Sequence, residues 1–164
     1  MTRTNITEQI WYDPEVKHYI MLDVTEQIPE QTMQVFDGTE LFPKDEYHVS
    51  LVAAGKLSED PATVAGIVDD VRSFLHDNPE AVAFQGLGDE RYVCRDGDEM
   101  TLIAPARIVA LDGLRGVVRR RIPEYEPAFS HVTLLKSASS PYGIGINSDS
   151  DLAAYCQKVE EKGE

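Results

Sequence analysis

The sequence predicts an α+β fold in which a strand-and-helix unit occurs twice. Three observations carry this. Short apolar runs suited to strands occur near residues 17–24, 46–52, 81–87, 90–95, 99–108 and 130–136. Apolar residues recur at helical spacing over 58–78, 111–122 and 148–159. Two of the strands share one tetrapeptide pattern, and each is followed by a loop and a capped helix. A pseudo-twofold relating the two units would bring those strands together at its axis.

At 164 residues the chain can form one domain with a proper core. Residues 1–16 lack periodicity and are expected to form an N-terminal arm, with Trp11 and Tyr12 packing on the body. Residues 17–164 are expected to form a single unit, and the protein a monomer. No apolar run approaches the roughly 20 residues of a membrane span, and no membrane partner is expected. The opening M-T-R-T-N-I-T-E-Q has no charged-then-apolar leader pattern, which makes the cytoplasm the expected compartment. Cys94 and Cys156 are too few for a disulfide framework or a zinc site and are expected as reduced thiols. The formal charge of −14 argues against a protein that grips duplex DNA or long RNA, because each neutralised phosphate needs a Lys or Arg. A small nucleotide or a single nucleic-acid end is easier to accept.

Residues 17–24 give the first strand, with His18 structural or exposed. The stretch 25–45, punctuated by Pro29, Asp37-Gly38 and Pro43, contains a short extended piece at 33–36 and leads into the first histidine strand. Asp60-Pro61 then supplies an N-cap and a first-turn proline for the best helix in the chain, whose apolar positions are Val64, Ile67, Val68, Val71, Phe74 and Leu75. His76 meets the negative end of its dipole, and Pro79 closes it. Three strands follow, the last two joined by a tight hairpin turn at Asp96-Gly97, with Pro105 suited to an edge or bulge. Leu111, Leu114, Val117, Val118 and Ile122 mark a second helix ending before Pro123. Its Arg119-Arg120-Arg121 run is read as a solvated helix C-terminus in preference to a phosphate site. After the second histidine strand, residues 141–146 form a strand or a close-passing loop. Ser148 starts a third helix with candidate apolar positions Leu152, Ala153, Tyr155, Cys156 and Val159.

The two histidine strands read E-Y-H-V-S-L-V from Glu46 and F-S-H-V-T-L-L from Phe129. Side chains alternate between the faces of a strand, so His48 and Ser50 share one face, as do His131 and Thr133, while the intervening aliphatics face the other way. An imidazole and a hydroxyl two residues apart are separated by roughly 6.6 Å along the strand and can touch one phosphate group. Two such strands side by side would offer two imidazoles and two hydroxyls to one ligand.

The tetrapeptides H-V-S-L at His48 and H-V-T-L at His131 resemble the paired H-h-[ST]-h motifs of the 2H phosphoesterase superfamily, which includes the bacterial 2'-5' RNA ligase-like cyclic phosphodiesterases. In element order the likeness covers roughly 17–159, and it rests mainly on the two motifs. It implies two pseudo-symmetric α+β lobes of antiparallel sheet with flanking helices around a central cleft, with both histidines at its floor. It also implies a metal-independent phosphodiesterase without a cofactor, acting on a cyclic or 2'-linked nucleotide phosphodiester such as an RNA 2',3'-cyclic phosphate end. His131 would take the proton from water and His48 would protonate the departing oxygen. Ser50 and Thr133 would hold the phosphate, and Lys136 stands where the family often has a basic residue. Ser50 departs from the commoner threonine but keeps the donor and acceptor.

Tyr47, Phe129 and Tyr142 flank the motifs and are candidates for stacking on a base, with a core or wall role open for each. A module that binds a nucleotide phosphate without turnover is the alternative from another class. A metal hydrolase ranks last, since Asp45 and Glu46 match no standard ligand spacing.

Overall fold

The sheet grows outward from the two motif strands, β6 (His48–Ala53) and β10 (His131–Lys136). In this computed structural model, which describes residues 4–14, 18–109, 111–126, 130–138 and 149–159, they are antiparallel neighbours with Val49 across from Val132. On one side β6 pairs with β3 (Tyr19–Asp23), which pairs with β2 (Ile10–Asp13) and then β1 (Thr4–Asn5). On the other side β10 pairs with β9 (Glu99–Val109), followed by β8 (Tyr92–Asp96) and β11 (Cys156–Lys158). Every registered pair is antiparallel. A hairpin of β4 (Gln34–Phe36) and β5 (Thr39–Pro43) joins the sheet through β5 and β10, and β7 (Ala83–Leu87) pairs with the far end of β9. With helices α1 (Pro61–Asp77), α2 (Leu111–Arg119) and α3 (Asp149–Tyr155), the architecture is α+β, as expected.

One sheet face carries the main core. Val49, Val132, Leu134 and Leu135 join Val64, Ile67, Val68, Val71 and Leu75 of α1 and Leu114, Val117 and Val118 of α2 in one apolar cluster. Each such aliphatic withdraws enough surface to favour folding by about 2 kcal/mol. The two helices touch closely: a Cβ on Gly113 would stand 2.8 Å from the tip of the Phe74 ring and would have to push it aside. Arg121 Nε donates to Asp70 Oδ2 at 2.8 Å, and Arg119 donates to the Tyr125 carbonyl oxygen and pairs with Glu126. These two arginines of the basic run therefore brace helix and loop.

Turn chemistry follows the backbone signs. Asp37 and Gly38 both have positive φ, the left-handed pair that a two-residue hairpin between β4 and β5 requires. Between β8 and β9 the loop is Gly97–Asp98, because Asp96 still pairs with Glu99, and Gly97 alone takes the positive φ. The turn sits one residue later than the Asp-Gly dipeptide suggests. Pro105 lies where β9 changes neighbour from β8, last paired at Ile103, to β7, first paired at Ala106, so its missing N–H falls at a gap in the ladder.

Three expectations are corrected. Residues 10–13, placed in the arm, form a sheet strand with Ile10 and Trp11 buried, because I-W-Y-D pairs with β3 and sends Ile10 and Trp11 to opposite faces of the sheet. Cys94 and Cys156 are not free thiols: they lie directly across from each other on β8 and β11 and form a disulfide. The third helix stops at Tyr155, and Cys156–Lys158 is a strand, pairing with β8 rather than continuing the turn. Of the two roles open to Tyr47, the structure shows the core one: it is buried in the main cluster. The expectations for Phe129, for Tyr142 and the rest of 141–146, and for the Ser148 cap lie outside the described residues. No helix is long and apolar enough to cross a membrane.

Candidate functional site

Both motif strands break the simple alternation at the same place. Between β3 and β6 the register runs Ile20↔Val52 and then Met21↔Ser50, which leaves Leu51 as an extra residue on β6. Between β9 and β10 it runs Thr133↔Ile103 and then Leu135↔Leu102, which leaves Leu134 extra on β10. Each motif leucine is thus a β-bulge. The two strands share one burial pattern in consequence: half-buried His, buried Val, half-buried hydroxyl residue, two buried aliphatics, then a half-buried sixth residue. Strict alternation would have put Leu135 on the polar face and Lys136 in the core. The bulge reverses both, and Lys136 comes out on the side of Thr133.

The four motif side chains lie on one sheet face where the strands overlap. Running the Val49↔Val132 register one residue each way places His48 opposite Thr133 and Ser50 opposite His131. All four face away from the apolar cluster that holds Val49 and Val132. Imidazole therefore faces hydroxyl across the strand pair twice over, in opposite senses, around one point. Cross-strand neighbours in such a pair lie about 5 Å apart at Cβ, a spacing that a single tetrahedral anion is large enough to bridge.

The flanks of this polar patch are apolar. On the β3 side Trp11, Tyr19 and Met21 form a small buried cluster with Ala53. The Trp11 ring meets the His48 ring edge to face, with centroids 5.7 Å apart and planes at 78°. A rigid, 4 % exposed indole thus limits the rotation of His48. On the β9 side Ile103, Tyr92 and the Cys94–Cys156 disulfide cluster with Leu152 of α3. The disulfide holds α3 and β11 against this side of the sheet.

Lys44 was not singled out in the sequence, where K-D-E-Y before the histidine gives no pattern to find it by. It follows β5, which lies against β10 with Pro43 beside Leu135 and Phe42 beside Lys136. Lys44 is half-buried, and its amine is pushed down to about 8, first by burial and then by the nearby Lys136 ammonium, with Glu46 opposing. Two of the six lysines in the chain thus converge beside the second motif. Phe42, 40 % exposed, is a further neighbour that sequence reasoning passed over.

His18 adopts positive φ and bonds through Nδ1 to the Tyr12 hydroxyl, a structural role. His76 is exposed at the end of α1, 3.7 Å from the Asp77 carboxylate. The site thus draws on His48 and His131 only. Among the described residues, no group of three or more His, Cys, Asp or Glu is placed to hold a metal ion. No protein-family model, curated protein or solved structure matches the chain.

Proposed function

We propose that the protein is a metal-independent phosphodiesterase of the 2H type. On this reading it acts on a cyclic or 2'-linked phosphodiester of a small nucleotide or an RNA 2',3'-cyclic end. The observation that supports it most is the crossed arrangement of His48 and Ser50 against Thr133 and His131 on adjacent antiparallel strands. The shared bulge makes the two motifs equivalent in register as well as in sequence. The β3–β6 side and the β10–β9 side are then the two lobes, with the cleft over their junction.

In the mechanism the phosphate lies over the junction with a histidine towards either end. Ser50 and Thr133 donate hydroxyl hydrogens to its non-bridging oxygens. Neutral His131 accepts a proton as water attacks phosphorus, and protonated His48 donates one to the ribose oxygen as the P–O bond breaks. The products are a phosphomonoester and a free hydroxyl. Imidazole suits both roles because its ordinary pKa lies near 6.5. Trp11 holds the His48 ring in line.

The test is turnover of 2',3'-cyclic mononucleotides, a 2'-5' diadenylate and cyclic dinucleotides in EDTA, with His48→Ala and His131→Ala alongside. Product that is lost in both variants supports the reading, and the position of the product phosphate identifies the leaving oxygen. Nucleotide binding without turnover by the wild type replaces it with a binding module.

A further inference from the structure

We infer that Lys44 and Lys136 form a second phosphate subsite, so that the ligand carries a phosphomonoester besides the group held by the two motifs. This deepens the proposed function and rests on it for the position of the first phosphate.

The rows of the sheet set the geometry. On β9 the row of His131 falls at Pro105, that of Thr133 at Ile103 and that of Lys136 at Thr101. The Lys136 row therefore lies two residues, about 7 Å, beyond the Thr133 row and about 10 Å from the midpoint of the motif group. That is too far out to centre on the reacting phosphorus, but a lysine stem covers part of the gap. It matches a second phosphate across one ribose.

Lys44 comes to the same place from another strand. β5 and β6 lie end to end along β10, but Pro43 pairs with Leu135 and Val49 with Val132. Six residues on that side thus span three on β10, and the link from Lys44 to Tyr47 takes up the excess. Phe42 lies across from Lys136, opposite in face to the fully buried Leu41, and Lys44 follows directly on Pro43, the last residue of β5, which pairs with Leu135 next to Lys136. Among the described residues, the charged groups that shift the Lys44 amine are Lys136 on β10, which lowers it, and Glu46 on the link, which raises it without offsetting burial and Lys136 together. Holding two ammonium groups together with one half-desolvated disfavours the empty fold. A phosphate dianion between them removes that penalty. In a chain of net charge −14, such a pair also admits a doubly charged group that the rest of the surface repels.

The experiment is calorimetric titration with two probes that cannot be hydrolysed at a diester: adenosine 2'-monophosphate and adenosine 2',5'-bisphosphate. Wild type at pH 7 is expected to bind the bisphosphate at least tenfold more tightly. Lys44→Gln and Lys136→Gln, each verified as folded by its melting curve, are expected to bring the ratio below threefold. At pH 9 the wild-type ratio should fall as Lys44 loses its proton. A wild-type ratio near one, bisphosphate binding too weak to measure, or a ratio that survives Lys44→Gln overturns the inference. Turnover of 2',3'-cyclic AMP is read separately. Turnover without bisphosphate preference leaves the diesterase and removes the subsite, whereas preference without turnover leaves the subsite and removes the diesterase.

Discussion

Val49 lies directly across from Val132 at the junction of β6 and β10, and both are fully buried. This pair anchors the register that sets each motif histidine against the other motif's hydroxyl residue. A one-residue slip would turn one motif's polar pair towards the core.

The crossed arrangement carries an expected kinetic pattern. His48→Ala and His131→Ala should each lower kcat by about 10²–10⁴-fold, and Ser50→Ala or Thr133→Ala by about 10²-fold. Double-mutant cycles should show coupling within His48/Thr133 and His131/Ser50. Steady-state kinetics on a 2',3'-cyclic mononucleotide measures both, and additive effects within each cross-strand pair would count against the register argument.

Trp11 belongs to the sheet and to the setting of His48. Trp11→Ala should cost about 3–5 kcal/mol by denaturant unfolding. Trp11→Phe should recover most of that stability while kcat falls and KM holds, because a smaller ring leaves His48 more freedom.

The disulfide links residues 62 apart in sequence. By the chain-entropy argument, its reduction removes up to about 4 kcal/mol of stability. Melting with and without reductant should show the loss, and Cys94→Ala/Cys156→Ala should melt like the reduced protein. Thiol titration of protein purified without reductant should find the pair oxidised.

Lys44 should trade stability for binding. Its amine sits at about 8 in the fold against an ordinary 10.5, so between those values the unfolded chain holds more protons and stability rises with pH. Below pH 8 the penalty is fully present. Lys44→Met should therefore raise stability at pH 7 by up to about 3 kcal/mol, since each tenfold loss of proton affinity on folding costs about 1.4 kcal/mol. That gain should vanish above about pH 10.5, as urea unfolding at pH 7 and 10.5 would show.

Much of the fold was legible because it is written in local patterns. Asp60-Pro61 and the aliphatic spacing of α1 announce a helix whose start the structure puts at Pro61. The apolar run at 17–24 announces β3, which runs from Tyr19 to Asp23. The failures share one cause. I-W-Y-D is too short to declare a strand until β3 lies beside it. Cys156–Lys158 follows a helical pattern and turns extended only because β8 offers an open edge and Cys94 a partner.

By itself the sequence determined the two H-V-[ST]-L tetrapeptides, and strand alternation then gave each a histidine and a hydroxyl on one face. That follows from the two-residue period of extended backbone, which needs no neighbours. Only the tertiary structure decided that the strands are adjacent, which hydroxyl each histidine faces, and which way Lys136 points. Register depends on where the buried aliphatics find partners across the strands, and the bulges at Leu51 and Leu134 exist only against β3 and β9. Lys44 and Trp11 enter the site for the same reason: separate strands carry them to its edge, and no spacing along the chain records that approach.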